Sequence, residues 1–507
     1  MNNMKANNIR LYASRGLGAL TVLALTAVSL CITSCDDDLS ALPTQYKVDG
    51  NVVVDGKSAE VLLNGMYYEY AMADYDVYEN MSTGCFYYYC VFPSNMAGAI
   101  TYYQGAYMLE THGYTYYSVY SPYIWTGIFS AMNAANCVID QVGAADDDWF
   151  EDGRKQEILG EAYAMRALTL YDELRIFGYS WDTSSPYGCI IRTEPSTTSN
   201  QAVARSTVAE SYDQILSDLE YAIENAPDEN EHYYITKWFA KGLKARVLML
   251  RGEGTDYADA AELANEVINC GYFALEPNYT DIFFYEGNSS DEVIFGIEPY
   301  ENQVDVYEAL VYYSSAQWLP TDNFAALFEG DPRESTTFAQ TSTMQIDWAD
   351  DYSSYTITYV LKSSMSKFID PDVDEANTIE ETVYNMRLSE MYLIRAEALV
   401  RSGGSYDEAR ELLKEVLYCA GYDDVSFVDE ATTEDELLQQ IFNEQMRNLV
   451  LECGRELDYM LRYDDIALDF NPEYADPQYN VFPLPTDEFE YNSALTADDQ
   501  NPGWSAE

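Results

Sequence analysis

Two pairs of predicted helices constrain the fold of this chain more than any other feature of its sequence. The four segments have helical apolar spacing and pair as 236–252 with 256–271 and as 384–404 with 405–421. In each pair an alanine-rich helix runs to a glycine, and a helix led by a tyrosine follows. The small residues Ala240, Ala245, Ala396 and Ala398 permit close contact between helices. Such pairs predict compact helical hairpins.

Apolar periodicity also predicts helices outside these pairs. The further segments are 57–75, 125–142, 153–178, 205–227 and 432–463, the last as one helix or a pair. Ser206 is the expected N-cap of the helix that stops at Pro227. Residues 76–123 are rich in Gly and Tyr and are predicted to be irregular, and residues 179–204 are predicted to form a loop. We therefore predict a mostly α-helical fold. The paired helices resemble tetratricopeptide-like hairpins, but they lie about 150 residues apart and form no simple tandem array.

The N-terminus has the pattern of a bacterial export signal. Lys5, Arg10 and Arg15 form a basic segment, and the apolar run 17–32 follows it. This run is shorter than the roughly 20 apolar residues of a membrane span. We therefore expect residues 1–34 to be a signal peptide.

Cys35 explains where the apolar run stops. The sequence Ile-Thr-Ser-Cys at 32–35 resembles a lipobox, in which the cysteine is lipidated and becomes the first residue of the mature chain. An ordinary signal peptide with a chance cysteine is the alternative. Asp36, Asp37 and Asp38 resemble the acidic segment that follows the lipidated cysteine of surface-exported lipoproteins in Bacteroidetes. We expect residues 35–56 to be a tether from a lipid anchor in the outer membrane, on the cell surface.

The chain is strongly acidic. Its formal net charge is −59, and removal of residues 1–34, whose charged residues are Lys5, Arg10 and Arg15, makes it −62. A surface of this charge repels nucleic acid, so we predict no nucleic-acid partner. Apolar residues make up 48% of the chain, which is too many for a disordered protein of this charge.

A series of motifs in fixed order resembles the SusD/RagB family of outer-membrane nutrient-binding lipoproteins. The matching positions are Trp125, Asn133 and Asn136; Glu161, Ala162 and Arg166 within EAYAMRAL; RSTVAESYDQILSDLEYA; AKGLKARVLMLRG; MRLSEMYLIRAEAL; Glu444, Arg447, Gly454, Arg455, Glu456 and Asp458; FPLPTDEFEYN; and QNPGW. They run almost from end to end of the mature chain.

The resemblance implies a SusD-like domain over 57–507, with an N-terminal part at 57–227 and a C-terminal part at 228–507. It implies a scaffold of tetratricopeptide-like pairs and a loop-rich ligand face. Such proteins act as a lid over a SusC-like TonB-dependent transporter and capture a glycan, or in some members a peptide. The expected function is therefore glycan capture and delivery. A peptide-binding lid and a structural surface lipoprotein without a soluble ligand are the alternatives.

Two stretches outside the predicted helices carry the residue types that bind a neutral glycan. Sugars pack their C–H faces on aromatic rings, and residues 85–105 and 299–323 are rich in tyrosine but contain no Lys or Arg. The predicted ligand-binding residues are Tyr88, Tyr89, Tyr102, Tyr103, Tyr313 and Trp318. The alternative is that these rings fill the core or contact the transporter. The lack of basic residues predicts a neutral glycan.

The charged residues of the helical motifs have a different expected role. They lie on helices whose other faces are apolar, which predicts structural ion pairs between helices. The residues concerned are Glu161, Arg166, Arg387, Glu390, Glu397, Arg447, Arg455 and Asp458.

One acidic segment has the spacing of a calcium loop. Asp370, Asp372, Asp374 and Glu381 occupy positions 1, 3, 5 and 12 of an EF-hand pattern, but Glu375 stands where the turn glycine belongs. Calcium is therefore a possible ligand and a solvated acidic loop is the alternative. We expect no other cofactor.

No motif of an enzyme is present in the sequence. His112 and His232 are the chain's two histidines, and neither belongs to an HExxH motif. With 86 acidic residues a catalytic carboxylate pair cannot be chosen from sequence, so a glycoside hydrolase stays an alternative. We predict a binding protein that is not an enzyme. Cys85 and Cys90 flank the sequence FYYY and could form a disulfide.

Overall fold

The computed structural model describes residues 52–72, 85–102, 117–297, 318–346, 352–360, 383–476 and 479–505. The chain divides into Met1–Val54 and Asp55–Glu507. The second unit is helical. In chain order, its first α-helices among the described residues are α1 Gly56–Met72, α2 Cys85–Met96, α3 Tyr117–Gly143, α4 Arg154–Phe177, α5 Val208–Asn225, α6 Lys237–Arg251 and α7 Asp256–Ile268. The remaining helices are α8 Tyr279–Asp281, α9 Asp322–Ala326, α10 Glu334–Thr337, α11 Leu388–Arg401, α12 Tyr406–Cys419, α13 Glu434–Asn448, α14 Arg455–Met460, α15 Asp464–Phe470 and α16 Thr486–Tyr491.

The strands form three small antiparallel pairs among the described residues. The strands are β1 Ile100–Tyr102, β2 Val293–Ile297, β3 Trp318–Pro320, β4 Phe338–Ile346, β5 Tyr352–Val360 and β6 Val383–Arg387. The pairs are β1 with β3, β2 with β6, and β4 with β5. The first two pairs join segments that are far apart in the chain. The fold is thus mostly α-helical, as predicted, with short ribbons that connect distant segments.

The predicted hairpins are present and pack on each other. Helices α6 and α7 form the first, helices α11 and α12 form the second, and α7 packs extensively against α11. Ala240, Ala245, Ala396 and Ala398 are fully buried, as their small size predicted. Arg395 Nη1 donates a hydrogen bond to Ala261 O (3.1 Å) across the junction. The two hairpins therefore form one continuous helical row despite their separation in the chain.

Local capping explains where several of these helices begin and end. Thr207 caps α5 in a capping box with Glu210, so the expectation that Ser206 is the N-cap is wrong by one residue. Thr433 and Glu436 form the same arrangement at α13. Gly252 ends α6 in the left-handed region at φ 63°.

Two other predicted boundaries are wrong. Residues 76–123 are not irregular throughout, because α2 occupies 85–96 and α3 begins at Tyr117. The segment 383–387 is strand β6 rather than the start of a helix, because it pairs with β2, about 90 residues earlier in the chain. The late segment 432–463 forms a pair of helices, α13 and α14, which is one of the two predicted alternatives.

The charged residues of the motifs form the predicted ion pairs in the interior. Each of the eight lies in an ion pair, and seven of them are buried. Arg387 on β6 shows the pattern, since its guanidinium contacts Glu292 on the loop before β2 (2.5 Å) and Glu452 (2.8 Å). A buried charge is tolerated only with such partners, so these pairs fix how the elements pack.

A disulfide between Cys85 and Cys90 is incompatible with this fold. Both residues lie in α2, and five residues of helix rise by about 7.5 Å, beyond the roughly 7 Å that a disulfide spans. The neighbouring thiol of Cys453, together with burial, raises the pKa of the Cys90 thiol. No helix within the described ranges has the length and apolar character that crossing a membrane requires.

Candidate ligand-binding site

The structure brings the two aromatic segments predicted from sequence into direct contact. Strand β1 belongs to the first segment and strand β3 to the second, and the two strands pair antiparallel. Ile100 faces Pro320, and Tyr102 faces Trp318. Residues about 215 positions apart in sequence therefore share one ribbon, which we call the β1–β3 ribbon.

Two side chains, Asn95 before β1 and Thr321 after β3, hold the ribbon in place. Asn95 Nδ2 at the end of α2 donates to Ile100 O (2.6 Å). Thr321 Oγ1 donates to Gly98 O (2.6 Å), and Thr321 N donates to Ala99 O (3.1 Å). Thr321 is also the N-cap of α9, whose Phe324 N donates to its hydroxyl (3.2 Å). One threonine thus fixes both the ribbon and the helix that follows it.

The ribbon rests on the segment that follows α15. Gly98 has φ 84°, and a Cβ there would lie 2.7 Å from Asn471 Nδ2, so a glycine is required by both conformation and space. Asn323 Nδ2 donates to Phe470 O (2.7 Å) on the same side. The C-terminal part of the domain therefore contacts the ribbon through Phe470 and Asn471.

Trp318 does not offer an open ring face to a ligand. Its side chain is fully buried. Its ring contacts Phe92 edge-on at 6.2 Å and Tyr102 edge-on at 5.3 Å between centroids. The expectation that Trp318 stacks on a sugar is thus at odds with its position, because the tertiary packing encloses the indole. Tyr102 is half-buried on the same ribbon.

The other predicted ligand residues stay predictions. Tyr88 and Tyr89 lie in α2, but their side chains are outside the described part of the structure. Tyr103 directly follows β1 in the chain and, like Tyr313, is outside the described residues. The lipidation residue Cys35 is outside them as well.

The predicted calcium ligands also fall outside the described ranges. Asp370, Asp372, Asp374 and Glu381 lie in 361–382. Within the described residues, no group of three or more His, Cys, Asp or Glu side chains is arranged to hold a metal ion. Calcium binding by the acidic segment therefore stays a prediction.

His232 has a structural environment. Its Nδ1 contacts the main-chain carbonyl of Val293 at the start of β2. Its ring meets Phe273 edge-on at 6.1 Å. Both contacts fix the imidazole against the strand, so the residue takes part in packing.

One aromatic cluster was not singled out from the sequence. The loop after α4 places Tyr179, Trp181 and Tyr187 in ring contact, with centroids 4.8 and 5.3 Å from Tyr179. We call it the 179–187 cluster. The presence of three aromatic residues within nine positions of a predicted loop was the sequence signal that could have found it.

Two family models match most of the chain without overlap. The first, described as the SusD family, matches residues 297–504. The second, described as "Starch-binding associating with outer membrane", matches residues 53–249. The chain belongs to the SusD family. The resemblance inferred from the motifs is thereby confirmed.

Relatives of this SusD-family chain are distant in sequence. A SusD-like protein of Bacteroides ovatus is 27% identical over 34% of the chain, a match that spans 32% of that relative's length. The SusD-like protein P2 of Formosa agariphila is 26% identical over 75% of the chain and 80% of its own length. The family is shared, but the ligand does not follow from identities this low.

A solved structure confirms the fold. The crystal structure of a SusD superfamily protein from Bacteroides thetaiotaomicron superposes with a TM-score of 0.69 and covers 89% of this chain and 100% of its own. Its sequence identity is 21%, so the likeness concerns the fold alone.

Proposed function

We propose that this SusD-family protein is a cell-surface lipoprotein that captures an oligo- or polysaccharide and delivers it to a SusC-like TonB-dependent transporter. The family description, starch binding in association with the outer membrane, supports a glycan ligand and that location. The protein acts by binding, without chemistry on the glycan.

The β1–β3 ribbon carries the proposal. It joins two tyrosine-rich segments into one place, and the chain continues from β1 into 103–116 and reaches β3 from 298–317, both rich in tyrosine. Aromatic rings next to main-chain hydrogen-bonding groups suit sugars, because a sugar ring has an apolar C–H face and hydroxyl groups around its edge. The pairing of β1 with β3 supports the proposal that the two predicted ligand segments act together.

The charge of these segments favours a neutral ligand. Residues 85–105 and 299–323 have no Lys or Arg, and Asp322 beside the ribbon is exposed. A polyanion would meet repulsion here, whereas stacking of an uncharged sugar is nearly independent of ionic strength. We therefore expect affinity that stays nearly constant from low to high salt.

Calorimetry with a panel of ligands tests the binding function. The panel contains neutral glycans such as maltoheptaose and cellohexaose, a sulfated polysaccharide and mixed peptides, each at two salt concentrations. We expect a neutral glycan to bind with equal affinity at both salts. Salt-sensitive binding of the sulfated polymer, or binding of peptides alone, would contradict the proposal and would favour an anionic glycan or a peptide as ligand.

The anchor is tested by lipid labelling. We expect that Cys35→Ala abolishes incorporation of a fatty-acid analogue and releases the protein from membranes. Replacement of Asp36, Asp37 and Asp38 by Ala should keep the lipid and abolish surface display, measured by external protease on whole cells. A labelled Cys35→Ala protein would show that lipidation occurs elsewhere.

The transporter is tested by purification. A tagged copy of this chain should co-purify from detergent-solubilised outer membranes with a TonB-dependent transporter. Recovery of the tagged protein alone from membranes that contain such transporters would contradict the assigned partner.

A further inference from the structure

The 179–187 cluster is a compact aromatic surface in the loop between α4 and α5. The rings of Tyr179 and Trp181 are stacked, with an interplanar angle of 26° and centroids 4.8 Å apart. Tyr187 lies beside Tyr179 at 5.3 Å. All three side chains are half-buried. The cluster is therefore partly open to solvent, unlike Trp318.

The loop that carries the rings is fixed by its main chain. Tyr179 N donates to Tyr187 O (3.0 Å), which closes the loop at its base. Tyr212 on α5 donates its hydroxyl to Ser180 O (2.8 Å). Val208 N at the start of α5 donates to Ser185 O (3.0 Å). A ligand would meet rings that are already ordered, which lowers the entropic cost of binding.

Arg205 supports the cluster from one side. Its guanidinium lies over the Tyr187 ring, 5.4 Å from the centroid. Its nitrogens donate to three main-chain carbonyls, Gly188 O (2.9 Å), Phe177 O (2.8 Å) and Asp499 O (2.6 Å). The charge is thus committed to the scaffold, so it does not provide a site for an anion.

The polar atoms of the three rings have no partner within the described ranges. Trp181 Nε1 and the hydroxyls of Tyr179 and Tyr187 make no hydrogen bond there, and none belongs to the buried polar atoms. Tryptophan and tyrosine normally find a partner for these groups once they are buried. These three groups are therefore accessible to water or to the hydroxyls of a ligand.

Apart from Arg205, the charged side chains of the loop and of its partner Glu253 are acidic. Asp182 within the loop is exposed, and Thr183 donates its hydroxyl to Glu253. The loop 178–188 contains no Lys or Arg. An anionic ligand would be repelled, whereas a neutral sugar ring finds stacked aromatic faces with hydrogen-bonding groups at their edges.

A short segment connects the cluster to the β1–β3 ribbon. Asn471 lies against Gly98 beneath the ribbon. Burial, then Tyr187, and then the charge of nearby Asp476 raise the pKa of Tyr179, while Arg205 lowers it; the pKa comes to about 12. The single turn Pro472–Ala475 separates Asn471 from Asp476, and such a 3₁₀ turn advances by about 2 Å per residue. Eleven residues after Asn471, Phe482 N donates to Ile176 O (2.8 Å), three residues before Tyr179, and the Phe482 ring lies 6.1 Å from that of Phe177. The C-terminal part of the chain therefore contacts both the ribbon and the base of the 179–187 loop.

We propose that the 179–187 cluster is a second sugar-stacking surface, which holds a neutral glycan that extends beyond the β1–β3 ribbon. The inference rests on the proposed glycan-binding function and extends it to longer chains. Two separate contacts on one polymer raise affinity for long ligands more than for short ones.

The test compares two tryptophans of the same chain. Calorimetry measures the binding of maltose, maltoheptaose, cellobiose and cellohexaose to wild type, Trp181→Ala and Trp149→Ala. Trp149 is 43% exposed and makes no ring contact in the described residues, so it is the matched control. We expect Trp181→Ala to weaken binding of the long oligosaccharide about 5- to 20-fold and binding of the disaccharide by a smaller factor. Trp149→Ala should leave the affinity for both ligands unchanged.

A spectroscopic readout is independent of affinity. The chain contains seven tryptophans, and after incorporation of 5-fluorotryptophan the ¹⁹F resonance of Trp181 is assigned by its loss in Trp181→Phe. We expect that resonance to shift on addition of the long oligosaccharide. Equal melting temperatures of the variants and wild type ensure that folding is preserved.

The outcomes separate the inference from the proposed function. Binding by wild type that Trp181→Ala leaves unchanged, with an unmoved Trp181 resonance, overturns the second surface and leaves the function standing. Absence of binding to every saccharide by wild type overturns both.

Discussion

Tyr102 lies directly opposite Trp318 in the β1–β3 ribbon, with ring centroids 5.3 Å apart and an interplanar angle of 66°. The pair joins two segments that are remote in sequence, and Phe92 on α2 also contacts the indole edge-on. Trp318 is buried and Tyr102 half-buried, so the indole acts as the core of the ribbon. Loss of this ring should therefore affect stability before it affects ligand contact.

We expect Trp318→Ala to lower the free energy of unfolding by about 3–5 kcal/mol, the range for removal of a buried large side chain. Urea unfolding measures the change. Trp149→Ala is the control and should change stability by less than about 0.5 kcal/mol, because Trp149 is exposed. A Trp318→Ala protein of unchanged stability that has lost glycan binding would instead make Trp318 a direct ligand contact.

Thr321→Val should loosen the ribbon locally. The valine removes both the hydrogen bond to Gly98 O and the cap of α9, at a cost of about 1–3 kcal/mol. We expect faster hydrogen exchange at residues 98–102 and 318–321. Thr433→Val is the matched control, because it removes the cap of α13 and leaves the ribbon hydrogen bonds intact. Equal exchange of the ribbon in both variants would mean that Thr321 does not hold it.

Glu173→Gln should change how stability depends on pH. Burial raises the pKa of Glu173 to about 8, although the hydrogen bond from Ile190 N lowers it. Between the ordinary pKa of a glutamate and this value, the folded protein keeps a proton that the unfolded chain loses, so the wild type loses stability as the pH rises from about 5 to 8. The glutamine stays neutral and avoids this loss. The free energy of unfolding that the wild type loses reaches roughly 2–4 kcal/mol near pH 8.

Thermal unfolding at pH 5 and pH 8.5 measures this difference. We expect similar melting temperatures at pH 5 and a higher one for Glu173→Gln at pH 8.5. Glu157→Gln on the same helix is the control, since its side chain is 40% exposed. A stability difference between Glu173→Gln and wild type that does not vary with pH would contradict this assignment.

Glu397→Gln should destabilise the row of helices. Burial raises the pKa of Glu397, but Arg462 and Arg401 lower it more, to about 2. The carboxylate accepts from both arginines at 2.7–2.8 Å, and its removal leaves their charges without a partner. We expect a loss of about 3–5 kcal/mol in urea unfolding.

The control for Glu397→Gln is a surface pair on the same hairpin. Glu408 pairs with Arg395, and its side chain is 44% exposed, so Glu408→Gln should lose no more than about 1 kcal/mol. Equal losses in the two variants would mean that burial does not determine the effect. The stability that Glu397 contributes should be lost as pH falls below the ordinary pKa of a glutamate toward 2.

Local sequence patterns predict most of the helices and the pairing of their charged residues. Apolar periodicity, caps and terminating glycines act within a few residues, so α4, α6, α7 and α12 lie within a few residues of the predicted bounds. The charged motif residues were predicted as ion pairs because charge on a helix with an apolar face must find a partner inside the protein. The two candidate ligand segments were predicted as well, from their aromatic content and lack of basic residues.

The tertiary structure alone decided which distant parts meet. The pairing of Tyr102 with Trp318, the strand at 383–387 and the contact between the two hairpins each depend on partners that are about 90 residues or more away. No local pattern encodes such a partner, because strand pairing and burial depend on what packs on the other side. For the same reason Trp318, which resembles a ligand contact in sequence, is enclosed in the fold, while Trp181 in an ordinary loop is held half-open at the surface.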